Sequence, residues 1–295
     1  MKIRKSKVRT FLKLNFAIKN YIHNVAEVFS LTESKSPGLS LRSKSYKNKD
    51  MRYIKDNLEI VNIGLFSHNI MHNQEYILLR NNISYFRAPV LDIGCGDGQF
   101  ASLLFNKIEA GVDLSDHSIA AASKLGLYND LKVADCTKNI PYPDGHFKTI
   151  FSNSVMEHIP DIEGVVKEAS RTLAKGGRFI ITTYSDEFLG QLSSAIGKEM
   201  ANSYNSGLTH VSLYSPEYWN DLLRKHKFTT LKVVPYLPLE ALVDMVIFSS
   251  RFFIISQLIS PYIFWHLSKD NLHRIVSSSL ETKNGLGFLL IAQKE

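Results

Sequence analysis

The stretch Val90-Leu91-Asp92-Ile93-Gly94-Cys95-Gly96-Asp97-Gly98 constrains this chain more than any other. A short apolar run meets an acid, and three glycines then fall at every second position. Apolar runs of this kind form buried parallel strands. Glycines directly after such a strand permit a tight turn and a close approach of ligand to backbone. Residues 99–105 continue with apolar side chains at helical spacing. The unit is a strand, a glycine turn and a helix, which is the nucleotide-cofactor crevice of an α/β sheet.

The charges decide which kind of cofactor suits the turn. A dinucleotide fingerprint needs a third glycine where Gln99 stands, and it sets a pyrophosphate on the helix N-terminus. Asp92 and Asp97 flank this turn, and two carboxylates repel a pyrophosphate. They suit a cofactor with cationic groups and no phosphate. S-adenosylmethionine, with its sulfonium, ammonium and adenosine, fits that description.

Further strands follow in order. Gly111-Val112-Asp113-Leu114-Ser115 reads as a second strand ending in Asp113, about twenty residues after the turn, where a carboxylate grips a ribose diol. Lys132-Val133-Ala134-Asp135-Cys136 reads as a third, ending in Asp135. Residues 147–153 are a fourth and 178–183 a fifth, the latter after the turn Gly176-Gly177. Helical patterns at 115–125 and 162–173 fall between them. This alternation predicts an α/β chain with a doubly wound, mostly parallel sheet.

These motifs, in this order, resemble the class I S-adenosylmethionine-dependent methyltransferases with an Asp-Ile-Gly-Cys-Gly-x-Gly first motif. The resemblance covers about 89–183 and extends more loosely to the C-terminus. It implies a seven-stranded Rossmann-like sheet with a final antiparallel strand inserted between the fifth and sixth. It implies that Asp92, Gly94 and Gly96 surround the methionine moiety, with Cys95 and Gly98 in the same turn. Asp113, with Leu114 beside it, would hold the ribose. Asp135 and the Cys136 backbone would face the adenine amino group, and Asn153 and Ser154 would close the pocket. Two of these positions have simpler readings: Cys136 as a small buried apolar residue, and Ser154 as the cap of a following turn.

Composition sets bounds on the rest. The two cysteines, Cys95 and Cys136, offer neither a disulfide framework nor metal-ligand spacing, so no metal is expected and a reducing cytoplasmic setting is the simplest reading. The basic start, broken by polar residues within Phe11-Leu12-Lys13-Leu14-Asn15-Phe16, makes a poor signal-peptide core. Residues 1–56 hold 14 Lys/Arg against 4 Asp/Glu, a net of +10, while the remaining 21 against 24 give −3. The basic character therefore belongs to an N-terminal extension, with 30–50 reading as a linker, and not to a methyltransferase domain at 57–295. Anionic lipid headgroups or nucleic acid would attract such an arm, and a solvated free arm is the alternative. No nucleic-acid motif accompanies it, so nucleic acid is the weaker option. Residues 57–85 read as a helix packed on the domain.

In the C-terminal third, Ser215-Pro216-Glu217 opens a helix with an N-cap, a proline at the first position and an acid. Strands follow at 228–234 and 287–292. Between them lies an apolar insertion, 239–283. Its uncharged run 252–265 has 14 residues and contains Pro261, too short to span a bilayer that needs about 20. It reads as buried helices or a homodimer contact, or else as an interfacial element at a membrane that serves a lipid-like acceptor. For acceptor chemistry His158, after the fourth strand, could act as a base, and His210 and Tyr214 precede the Ser215 helix. Each also has a plain reading: Glu157-His158 caps and packs the next helix, and His210 and Tyr214 are loop surface. The expected activity is methyl transfer to a small-molecule, glycan or lipid-linked acceptor. The rival is a non-catalytic cofactor-binding or scaffold protein. A dehydrogenase ranks third because of Gln99 and the acids.

Overall fold

The computed structural model describes residues 52–55, 58–61, 66–251, 261–280 and 282–295. Residues 1–51 of the basic arm and the stretch 252–260 of the apolar run lie outside these residues. Among the described residues a two-stranded antiparallel hairpin, β1 (Arg52–Lys55) and β2 (Leu58–Val61), comes first. Helix α1 (Phe66–Asn81) and a short 3-10 turn (Ile83–Tyr85) follow. The single helix expected over 57–85 is therefore wrong in its first third. Leu58-Glu59-Ile60-Val61 places Ile60 in the core, and its partner strand is the β1 segment.

The main sheet has seven strands. They are β3 (Val90–Ile93), β4 (Ile108–Asp113), β5 (Tyr128–Val133), β6 (Phe147–Asn153), β7 (Leu173–Tyr184), β8 (Phe228–Tyr236) and β9 (Gly287–Lys294). Their spatial order is β5-β4-β3-β6-β7-β9-β8. β3 to β7 pair in parallel, and β9 runs antiparallel to both β7 and β8. This is the doubly wound, mostly parallel sheet with an inserted antiparallel last strand. The chain order reverses between β3 and β6, where open α/β sheets bind ligands beyond the strand C-termini.

Side chains alternate between the two faces. Leu91, Ile150, Phe179, Ile181 and Leu290 join one core with α4 (Ile162–Thr172) and α7 (Pro216–Lys225). Val90, Phe151, Ile180, Leu289 and Ile291 join the other. That second face receives α1, α5 (Glu187–Ile196), α8 (Leu239–Arg251) and α9 (Pro261–Ser279). Three further helices stand among the described residues: α2 (Ala101–Leu104), α3 (Asp116–Ser123) and α6 (Lys198–Leu208). Ser215 caps α7 by accepting from the Tyr218 N–H, with Pro216 at the first helical position. The described part of the apolar insertion is α8 and α9. Both pack on α1, and Ala241, Leu242, Met245, Leu272, Ile275 and Val276 are buried. Among the described residues no helix is long and apolar enough to cross a membrane.

Candidate functional site

Strands β3, β4, β5 and β6 end at Ile93, Asp113, Val133 and Asn153, side by side in the sheet. The segments leaving those ends enclose a cleft of about 450 Å³. Gly94 enters it from β3, and Asp113 and Leu114 from β4. Residues 134–137 come from the end of β5, and Val155 and residues 158–161 from beyond β6.

The glycine turn is built from the backbone outward. The Gly94 and Cys95 N–H groups both donate to the Val112 carbonyl, at 2.8 and 3.1 Å. Gly94 and Gly96 sit at φ +69° and +53°, a region that favours glycine. A Cβ on Gly94 would lie 2.6 Å from Val155, whereas one on Gly96 would meet nothing within 4 Å. Gly98 serves packing: its Cβ would fall 2.9 Å from the Tyr128 ring. Cys95 is buried beneath the turn and is not part of the cleft wall.

Asp113 ties the turn to the next helix. One carboxylate oxygen accepts from the Gly96 N–H at 2.9 Å and the other from the Ser115 N–H at 2.9 Å. Each oxygen keeps a further lone pair. Leu114 beside it is 73% exposed, an apolar surface at the rim. Asp135 lies just past the strand, because β5 stops at Val133 and the expected strand is two to three residues too long at this end. Its carboxylate pairs with Lys138 at 2.8 Å and accepts from the Thr137 N–H and hydroxyl, which hold its pKa down to about 2. Cys136 lines the cleft, with its thiol pushed up to about 11 by burial and the neighbouring Asp135.

Asp92 faces away from this wall. It is buried and accepts the Tyr128 hydroxyl at 2.6 Å. Burial raises its pKa to about 7, against the lowering effect of that hydrogen bond. Tyr128 reaches from β5 across β4 to β3 because Gly111 lies between them; a Cβ there would be 2.9 Å from the ring.

A second polar centre sits behind the end of β6. Glu75, from α1, is fully buried. It accepts from Asn153 at 3.0 Å, from the Tyr236 hydroxyl at 2.8 Å and from Ser154, and its other partner is His72 at 2.9 Å. Burial alone would raise the Glu75 pKa, but His72, Ser154 and Asn153 outweigh it and hold the carboxyl below its ordinary value. Asn153 and Ser154 thus turn toward Glu75, and Ser154, at φ +51°, caps no helix.

A third group lies around Glu157, beyond β6. The Val211 and Ser212 N–H groups donate to the Glu157 carbonyl at 2.8 and 3.0 Å, which docks the loop carrying His210 beside His158. The two rings are 5.3 Å apart, and His210 also lies 4.7 Å from the Tyr184 ring. Burial and then His158 lower the His210 pKa to about 4. Glu157 is fully buried; Thr183 donates to one carboxylate oxygen at 3.1 Å, and burial pushes its pKa up to about 8. Tyr214 is elsewhere, stacked on Tyr218 at 4.2 Å.

The cleft wall offers acids, apolar surface and one histidine, and no lysine or arginine among the described residues. That donor set fits S-adenosylmethionine and not a pyrophosphate. A family profile described as a methyltransferase domain matches residues 67–233. The chain belongs to the class I S-adenosylmethionine-dependent methyltransferases. Tocopherol O-methyltransferase of Arabidopsis thaliana is 38% identical over 104 residues, 32% of this chain and 30% of that protein. The sarcosine/dimethylglycine N-methyltransferase of Halorhodospira halochloris is 36% identical over 101 residues, 32% of this chain and 36% of that protein. The match thus spans about a third of either relative's length. A methyltransferase structure from Thermotoga maritima, described as a possible histamine N-methyltransferase, shares the fold at TM-score 0.50 and 22% identity. The alignment covers 77% of this chain and 92% of that one.

In this methyltransferase the structure separates the sequence-derived positions, with Gly96 in the glycine turn, His210 beside His158 and Tyr214 stacked on Tyr218. Gly94, Asp113, Leu114, Asp135, Cys136 and His158 line one cleft. Asp92, Cys95, Gly98, Asn153 and Ser154 do not line it: Asp92 and Gly98 meet Tyr128, Cys95 meets the Gly96 carbonyl, and Asn153 and Ser154 hold Glu75. Sequence reasoning missed Glu75, Tyr128 and Tyr236, whose partners come from distant strands and leave no local pattern.

Proposed function

We propose that the protein transfers a methyl group from S-adenosylmethionine to a small-molecule acceptor. The cleft at the ends of β3 to β6 would be the cofactor site and the His158–His210 side the acceptor site. The observation that carries this is Asp113: one carboxylate fastens the glycine turn and the start of α3, and keeps spare lone pairs at the cleft wall. Those lone pairs suit a ribose diol. Leu114 supplies an apolar face for a purine, with Asp135 and the Cys136 backbone beside it. Gly94 and Gly96 keep the turn thin where the methionine moiety would lie.

When bound, the cofactor supplies an electrophilic methyl on sulfur. The chain's part is to hold the acceptor in line, exclude water and take up its proton. His158 lines the cleft and would receive that proton. His210, kept neutral by burial, backs it. We take 57–295 as the methyltransferase domain and 1–56 as a basic extension of cytoplasmic location that favours acceptors at anionic, lipid-like surfaces. The test offers the full chain S-adenosylmethionine with phenolic, amine and isoprenoid acceptors and follows S-adenosylhomocysteine. Turnover with one class is expected. His158→Ala should keep cofactor affinity and lose turnover. No turnover together with no cofactor binding contradicts the proposal.

A further inference from the structure

Glu157 presents a problem that the cofactor cleft does not solve. Its side chain is wholly buried, and one carboxylate oxygen, Oε1, has no hydrogen-bond partner. Leaving such an oxygen bare in the interior is costly, so buried carboxylates pair with donors or coordinate metals. The groups nearest in chemistry are two imidazoles. Donor atoms of Glu157, His158 and His210 all lie within 4.8 Å of one another.

One nitrogen of each ring already has a partner. His158 Nδ1 lies 3.3 Å from both the carbonyl and the hydroxyl of Thr209, and that hydroxyl spends its proton on the Leu208 carbonyl at 2.7 Å, so both oxygens can accept. His210 Nδ1 lies 3.1 Å from the Asn205 side-chain oxygen. Each Nδ1 therefore carries the proton and donates it, and each Nε2 keeps a lone pair. Metal-bound histidines are oriented in this way, with the second nitrogen tied to a carbonyl or other acceptor. The loop that brings His210 in is itself clamped, through the Val211 and Ser212 N–H groups, to the Glu157 carbonyl.

We infer that Glu157, His158 and His210 form a binding site for a divalent first-row transition cation. Two imidazoles and one carboxylate are the donor set of open zinc sites and of related transition-metal sites. Metal bonds of about 2.0–2.2 Å require the donors to draw closer than 4.8 Å. The exposed His158 side chain has the freedom to do so. Three protein ligands leave coordination positions open. Because His158 lines the cleft, those positions adjoin the space assigned to the acceptor, where an acceptor oxygen or nitrogen could ligate. The inference stands on the chain's own donor atoms and does not depend on cofactor binding; while a cation holds His158 the ring takes no proton, so an acceptor would then be activated by ligation in place of the base role of His158. The two cysteines gave no ligand spacing, and the two histidines are far apart in sequence, so no local motif announces the site.

The full, untagged chain is stripped with a chelator and titrated with cobalt(II), read by its visible d–d absorption, and then with zinc(II). One cobalt per chain, displaced by one zinc, is expected. Glu157→Gln, which keeps the acceptor for Thr183, and His210→Ala should each weaken cobalt binding at least about tenfold. His158→Ala, at an exposed position, should do the same without disturbing the fold, which circular dichroism checks. S-adenosylmethionine affinity is measured on the same samples. Absence of a stoichiometric cobalt band, or wild-type cobalt affinity in the folded variants, overturns the metal site. Cofactor binding that persists in that case leaves the methyltransferase reading intact, so the two failures are distinguishable.

Discussion

Asp113 holds the glycine turn with one oxygen and the head of α3 with the other. A ribose diol on the remaining lone pairs adds charge-assisted hydrogen bonds, each of about 1.5–3 kcal/mol. Asp113→Ala should therefore lower cofactor affinity at least tenfold in calorimetry, and affinity within twofold of wild type would reject the ribose assignment. Asp92 gives a pH prediction. Its pKa rises from 3.8 unfolded to about 7 folded, so the native state holds the proton more tightly. Stability should then fall as pH rises from about 4 to about 7 and level off above. Asp92→Asn, which still accepts from Tyr128, should flatten that part of the curve in urea unfolding; an unchanged slope rejects it. Gly94 shows what the sequence could and could not say. The glycine pattern marks a thin turn, yet the atom that a side chain strikes first is Val155, beyond a different strand. That neighbour is set by tertiary pairing, which no local pattern carries.

At the scale of elements, what was legible followed local chemistry. The strand 147–153 and the Ser215 cap with Pro216 stand where the sequence puts them, because a β-rich run and an N-cap are decided by near neighbours. The β1–β2 hairpin was not legible, since a four-residue alternation is too short to outweigh the helical pattern that follows it. α1 also hides its most consequential residue. Glu75 reads as one more polar position in a polar helix, but the fold buries it against residues from β6 and β8. Removing it strands the Asn153, Ser154 and Tyr236 donors in the interior. Each buried unsatisfied group costs about 1–3 kcal/mol, so Glu75→Ala should destabilise by about 3 kcal/mol or more in chemical denaturation. Glu75→Gln, which keeps one acceptor, should cost less. A loss under about 1 kcal/mol for Glu75→Ala would show that the network does not hold α1 to the sheet.

At the scale of the whole molecule, charge and apolar surface part company. The +10 of residues 1–56 stands beside a net of −3 over residues 57–295. The described apolar faces of α8 and α9 are spent on packing against α1. Any attachment of the chain to anionic vesicles should therefore be chiefly electrostatic. Flotation should show binding at about 0.05 M salt that is lost near 1 M, where the screening length shrinks to about 3 Å. Binding that survives high salt would point instead to an apolar contact. The cleft at the ends of β3 to β6 should take S-adenosylmethionine and refuse a dinucleotide. Thermal and urea unfolding of the full chain with each ligand tests it most directly. S-adenosylmethionine at a hundred times its dissociation constant should add about 2.7 kcal/mol, and NAD at the same concentration should add nothing. Stabilisation by NAD, or none by S-adenosylmethionine, would contradict the account.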